Sequence, residues 1–239
     1  MLKKLLSPPS IDWPGKFEQR LKTTEHEGLR QYYMGGLPDP DTPLAEIEFL
    51  AMDFETTGLN VDKDDIVSIG TVPFNLRRIF LNRAKHWTVR PREQLAEESV
   101  IIHGITHSDI LDAPDFSAIF EQVLQQMTGK IMVVHYQEIE RRFLERALIN
   151  RIRQGIEFPV IDTMALETDI QNRQHGGLLN RLKGDKPGSV RLGQSRSRYG
   201  LPSYPPHNAL TDAIATAELL QAQVAHHFDP SRPIKDFWQ

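Results

Sequence analysis

From Ile47 to Phe54 nearly every residue is apolar, and the run ends in two acids, Asp53 and Glu55. A stretch of this kind reads as a β-strand buried on both faces, so the chain must build a sheet with neither side left to water. Asp64-Asp65 turns into a second strand, Ile66-Val67-Ser68-Ile69-Gly70-Thr71-Val72. A third lies within Ile79 to Val89 and ends at Arg90-Pro91. Strands so closely spaced form an antiparallel meander.

The pattern then changes period. Phe116, Ile119, Phe120, Val123, Leu124 and Met127 follow helical spacing, and Gly129 stands where a C-terminal cap belongs. Ile131-Met132-Val133-Val134 is a short apolar strand. A charged helix follows with Ile139, Phe143, Ala147 and Leu148 on one face, then Val160-Ile161-Asp162, and a last helix from about 208 to 225. Strand–helix alternation after a meander predicts an α/β fold with a mixed sheet, parallel in its later part and flanked by helices.

Residues 1–44 read as a mostly helical N-terminal extension, with Phe17, Leu21 and Leu29 as a loose stripe and Trp13, Tyr32 and Tyr33 to seat it. It either covers part of the main domain or serves as an arm for a protein partner. The main domain is expected over 45–228, with a short tail at 229–239. Residues 171–200 read as one long irregular segment, rich in Arg and Lys with a single acid, Asp185. A segment like that is a solvated loop or a flap that contacts phosphate.

The 239 residues are 39% hydrophobic and 25% charged, with a formal charge of −4. That charge supplies no global field to draw in nucleic acid, so binding of that kind needs a local basic patch or metal ions. The absence of cysteine excludes disulfides, thiolate metal sites and cysteine catalysis. No apolar run reaches the length of a membrane span, and Met1 to Pro9 lacks the apolar length of a signal peptide. The expectation is a soluble cytoplasmic protein with no membrane contact.

Chemistry concentrates at three places. Asp53 and Glu55, two apart on a strand, point to one face, and paired carboxylates repel unless a cation lies between them. A solvated strand end and a site for a hard divalent ion are both open readings. Thr56-Thr57-Gly58-Leu59 follows, with small donors, a glycine that lets backbone approach a ligand, and an apolar side chain. Near the C-terminus, Pro205-Pro206 sets His207 in the turn before the last helix, with Asp212 one turn inside. A histidine there can act as a general base. Between them, His135 ends a strand and Glu140 sits among Glu138, Arg141, Arg142, Glu145 and Arg146, where spacing alone does not single it out.

Those segments resemble the DEDDh group of 3′–5′ exonucleases, in particular the DNA polymerase III epsilon-type proofreading enzymes. Asp53-Phe54-Glu55-Thr56-Thr57-Gly58-Leu59 matches the first motif, and Ile102-His103-Gly104-Ile105-Thr106 resembles the segment after the third strand. His135, Glu140, Phe143 and Leu144 match the second motif in spacing, and His207, Ala209, Asp212 and Ala213 the third. The similarity covers roughly 45–225. Two positions depart from the family: Glu140 replaces an aspartate, and Tyr136 an asparagine.

The resemblance implies an RNase H-like five-stranded mixed sheet and hydrolysis of nucleotides from the 3′ end of DNA, single strands preferred, as in DNA replication or repair. It implies two divalent cations, Mg²⁺ or Mn²⁺, held by Asp53, Glu55, Glu140 and Asp212, and His207 as general base. Thr56, Thr57, Gly58, Leu59, His103 and Tyr136 would line the terminal-nucleotide pocket, with Tyr136 able to stack on a base. RNA trimming and a catalytically weak nucleic-acid-binding module are the alternatives. No glutamine-led clamp-binding motif is present, which favours a free-standing enzyme over a replicase subunit.

Overall fold

The computed structural model describes residues 11–92, 110–175 and 187–239. Its centre is strand β1 (Phe49–Thr56), in which every residue is buried except the half-buried Asp53. β1 pairs antiparallel with β2 (Ile66–Phe74), and β2 pairs antiparallel with β3 (Lys85–Thr88). On its other side β1 runs parallel to β4 (Ile131–Val134), and β4 parallel to β5 (Val160–Asp162). The order β3-β2-β1-β4-β5 is therefore a meander extended by parallel strands. The apolar run at 47–54 is continuous because β1 has strands on both edges and helices over both faces.

Two helices open the described chain. α1 (Trp13–Thr23) is capped by Asp12, which accepts from the Gly15 N–H at 3.0 Å, and α2 is Glu27–Met34. Trp13, Phe17, Leu29, Tyr32 and Tyr33 are buried in the same core as β1. Phe17 meets Tyr32 and Tyr33 at ring separations of 5.4 and 5.0 Å. Outside that cluster Lys16 and Arg20 pair with Glu157 at 2.8 and 2.7 Å. The aromatic side of residues 1–44 is thus spent inside the molecule.

α3 (Phe120–Met127) ends before Gly129, whose φ of +72° suits glycine. α4 (Gln137–Ile152) follows β4, and α5 (Thr163–His175) follows β5 directly. After α6 (Leu192–Arg198), helix α7 (Ala209–His227) crosses β1 and β2. It comes close because position 70 is glycine: a Cβ there would stand 2.2 Å from the Ala209 carbonyl. Residues 229–239 fold back over the sheet edge. Phe237 and Trp238 are buried, and Gln239 and Val160 exchange backbone hydrogen bonds.

The structure corrects the expected irregular segment 171–200 over its described residues; 176–186 lie outside them. Residues up to His175 continue α5, and Leu192–Arg198 is a helix. The buried positions of these helices include Thr163, Glu167, Gln171, Ser195 and Arg196. Much of their inward faces is polar, with Glu167 bonded to Arg198 and Arg196 to Glu218, so they show no apolar period.

Candidate active site

β1 delivers Asp53 and Glu55 to one face, and a register shift between Glu55 and Thr56 ends the regular pairing just there. α7 brings Asp212 to the same place from its first turn. One oxygen each from Asp53, Glu55 and Asp212 lies within 4.8 Å of the others. Asn208 caps α7 by accepting from the Thr211 N–H at 3.0 Å, and the chain before it turns sharply through His207 at φ +68°. In that turn the His207 backbone N–H donates to Asp212 Oδ2 at 2.8 Å, while the residue itself stays exposed.

The carboxylates disturb one another. Burial, then Glu140, Asp212 and Glu55, push Asp53 well above the ordinary carboxylate range. Burial and Glu55 raise Asp212, against the pull of the His207 and Asn208 backbone. Acids crowded this way, with only oxygen donors among them, fit a hard divalent cation, which would stabilise their charged forms together.

Glu140 stands apart from that trio. It is buried in the first turn of α4, and its Oε2 has no hydrogen-bond partner among the described residues. Burial, then Asp162 and Glu55, hold its carboxyl well above the usual range against bonds from its own backbone and that of Phe54. Asp162 anchors this helix. Its carboxylate accepts from the N–H groups of Tyr136 and Gln137, both at 3.1 Å, and from Met164 and Ala165 at 2.9 and 3.3 Å.

Residues expected to meet the nucleotide divide into two groups. The Thr56 hydroxyl donates to the Gly58 carbonyl at 2.7 Å, and the Thr57 hydroxyl donates to Asp64 and accepts from the Asp65 N–H. Both hold the loop's shape, and Gly58 lies where a Cβ would press on the Asp64 carboxylate at 2.6 Å. Leu59, 83% exposed, and Tyr136, 44% exposed, instead offer free apolar surface. They line a cavity of about 120 Å³ with Val61, Ile139 and Phe143. Tyr136 sits at φ +88°, a backbone that asparagine adopts more readily than tyrosine. His103 lies outside the described residues.

A larger cleft of about 530 Å³ opens on the other side of the acids, between Asp53, His207 and Asp212 and a wall that includes Arg191, Gln194 and Tyr204. Sequence reasoning missed this wall. Arg196, buried, donates to the Ala215 and Pro202 carbonyls and to Glu218 at 2.6 to 2.8 Å, and lies 4.6 Å from the centre of the Tyr204 ring. Arg198 and Tyr199 both donate to Glu167 at 2.8 Å. These two arginines of the basic segment are therefore fasteners and not phosphate contacts. His135 also ties the wall to the sheet, through Thr163 Oγ1 at 2.8 Å and the Val190 carbonyl at 3.0 Å. The visible signal for Asp162 was an acid between a strand and a helix, the usual place of an N-cap.

A family model for exonucleases, RNase_T, matches residues 50–220. The chain is 29% identical over 179 residues to the DNA polymerase III subunit epsilon-like protein of Rhodobacter capsulatus, covering 74% of this chain and 24% of that protein. It is 26% identical over 181 residues to DNA polymerase III subunit epsilon of Treponema pallidum, covering 76% and 78%. The chain thus spans about a quarter of the first relative and over three quarters of the second.

Among solved structures, the nuclease domain of 3′hExo, a DEDDh family member bound to rAMP, aligns with a TM-score of 0.60 at 16% identity, over 75% of this chain and 92% of that one. Exonuclease X in complex with 5′ overhanging duplex DNA aligns with a TM-score of 0.56 at 21% identity, over 77% and 96%. At these identities the likeness concerns the fold, which is the RNase H-like mixed sheet flanked by helices. With the family model covering most of its length, the chain belongs to the RNase_T exonuclease family.

Proposed function

We propose that this protein removes nucleoside monophosphates from the 3′ end of DNA, single strands preferred, in a reaction that depends on Mg²⁺ or Mn²⁺. The observation that carries the reading is the Asp53–Glu55–Asp212 cluster, three carboxylates within 4.8 Å at the mouth of a cleft in an exonuclease-family chain. Asp53, Glu55 and Asp212 would hold one ion. Asp53 and Glu140 would hold the second, with the unpartnered Oε2 of Glu140 as donor. Bound ions supply charge neutralisation at the phosphate and the leaving oxygen.

The remaining steps belong to the chain's own residues. His207, exposed beside the acids and fixed through its backbone N–H to Asp212, takes the proton of the attacking water on its imidazole. Leu59 and Tyr136 flank the terminal base, the first by packing and the second by stacking. Thr56, Thr57 and Gly58 shape the loop that presents Leu59, and His103 completes the pocket by family resemblance.

The test is nucleotide release from 3′-labelled and 5′-labelled single strands, duplexes and matched RNA, titrated with Mg²⁺ and Mn²⁺. Asp53→Ala should lower release by at least about a thousandfold while the protein stays folded, because a metal ligand is lost and acidic repulsion is relieved. Normal turnover by purified Asp53→Ala protein would overturn the assignment. Faster release from RNA would move the substrate class. Binding without any metal-dependent release would leave a nucleic-acid-binding module.

A further inference from the structure

Between Ile66 and Arg92 the chain has six cations, Arg77, Arg78, Arg83, Lys85, Arg90 and Arg92, and no acid, in a protein of net charge −4. Arg92 is paired with Asp65 at 2.9 Å and Arg83 with Glu48 at 2.7 Å. Arg77, Arg78 and Lys85 are exposed, and none of them lies within ion-pair distance of a carboxylate among the described residues. They sit on the turn from β2 to β3 and at the start of β3, the edge strand of the sheet. The Arg78 guanidinium carbon lies 4.7 Å from the centre of the Phe80 ring, which it shares with the Glu48-paired Arg83 at 5.1 Å.

The place of this patch relative to the acids follows from the register. Asp53 pairs with Gly70 and Phe49 with Phe74, so the turn begins four residues from Asp53 along the sheet. At about 3.3 Å per residue that is about 13 Å, with the turn itself extending further. The turn is also held to the helix that carries Asp212: Gln221 Nε2 donates to the Asn75 carbonyl at 2.7 Å. A stacked strand at about 3.4 Å per nucleotide covers such a span in about five nucleotides.

We infer that Arg77, Arg78 and Lys85 form an exosite for the phosphate backbone of the strand whose 3′ end occupies the acid cluster. This rests on the reading of nucleic acid as substrate. Uncompensated cations repel one another, and a run of phosphates relieves that repulsion while releasing counterions. A stacked strand of fewer than about five nucleotides does not span from the acids to the patch, so the exosite favours longer substrates.

Edge-strand cations also serve to discourage edge-to-edge pairing of sheets. The test separates the two roles by comparing wild type with the charge-reversal variant R77E/R78E/K85E and the neutral variant R77A/R78A/K85A. Binding of 5′-labelled single strands of about 20 and about 3 nucleotides is followed by fluorescence anisotropy in EDTA, across a salt series. The exosite predicts affinity for the long strand at least about tenfold weaker in the reversed variant, a smaller loss in the neutral one, and a salt slope shallower by about 2. The short strand should bind all three proteins alike.

In the presence of Mn²⁺, release from the short strand should be unchanged and KM for the long strand raised with kcat kept. Unchanged long-strand affinity and salt slope would overturn the exosite, and self-association of the variants with unchanged affinity would assign the cations to edge protection. Since binding is read without metal, it stands or falls apart from catalysis. Absence of release by the wild type would count against the proposed activity alone.

Discussion

At Asp53 and Glu140, burial and neighbouring carboxylates favour the protonated acid. Each folded-state pKa is therefore raised above its unfolded value, so the folded protein holds more protons than the unfolded chain through that interval. The contribution of these two acids to the stability of the metal-free protein is then fully present below the ordinary carboxylate range and is lost as pH rises through the raised values. A divalent ion that takes the charged forms should cancel the loss. The melting temperature of metal-free protein is thus expected to drop as pH is raised above the ordinary carboxylate range, with a larger Mn²⁺-induced rise at the higher pH. Asp53→Asn should flatten both responses, and a pH-independent melting temperature would refute the account. The pair Asp53 and Glu55 was legible in the sequence because a strand has period two. Glu140 was not, since its burial depends on how α4 is rotated, and only family resemblance selected it from the acids around it.

Elements bring the distant acids together, and Gly70 controls the closest approach. Gly70→Ala would drive a methyl group into the Ala209 backbone, so α7 must lift or tilt. Overpacking of this kind costs about 1–3 kcal/mol, and Asp212 would move with the helix. Chemical denaturation should show that loss, and nucleotide release should fall by more than the stability change explains. Equal activity in a folded Gly70→Ala protein would show that the approach is not needed. The strands and α7 could be read beforehand because their inward residues are apolar. α5 and α6 could not, because Glu167, Gln171 and Arg196 are buried against polar partners such as Arg198, Gly188 and Glu218, and no hydrophobic period marks such a face.

At the scale of the molecule, both ends of the described chain close over the sheet. Trp13, Phe17, Leu29, Tyr32 and Tyr33 each contribute about 2 kcal/mol by burial, together comparable with the whole stability of a domain, about 5–15 kcal/mol. Deleting residues 1–44 should therefore abolish cooperative unfolding or cause aggregation, as read by calorimetry and light scattering. A monomeric fragment with unaltered melting would disprove that dependence. The aromatic content of this stretch announced that it would pack on something. The surface that receives it includes α3, against which α2 packs, and side chains as distant in sequence as Phe120, Gln154 and Glu157, which no local pattern connects.

Asp162 touches neither cleft directly, yet the starts of α4 and α5 both hang from its carboxylate. Any shift of this shared pivot would be transmitted along one arm to Glu140 and along the other to Glu167, which secures the cleft wall. The spacing of the clustered acids and the width of the cleft beside them are thereby geared to each other.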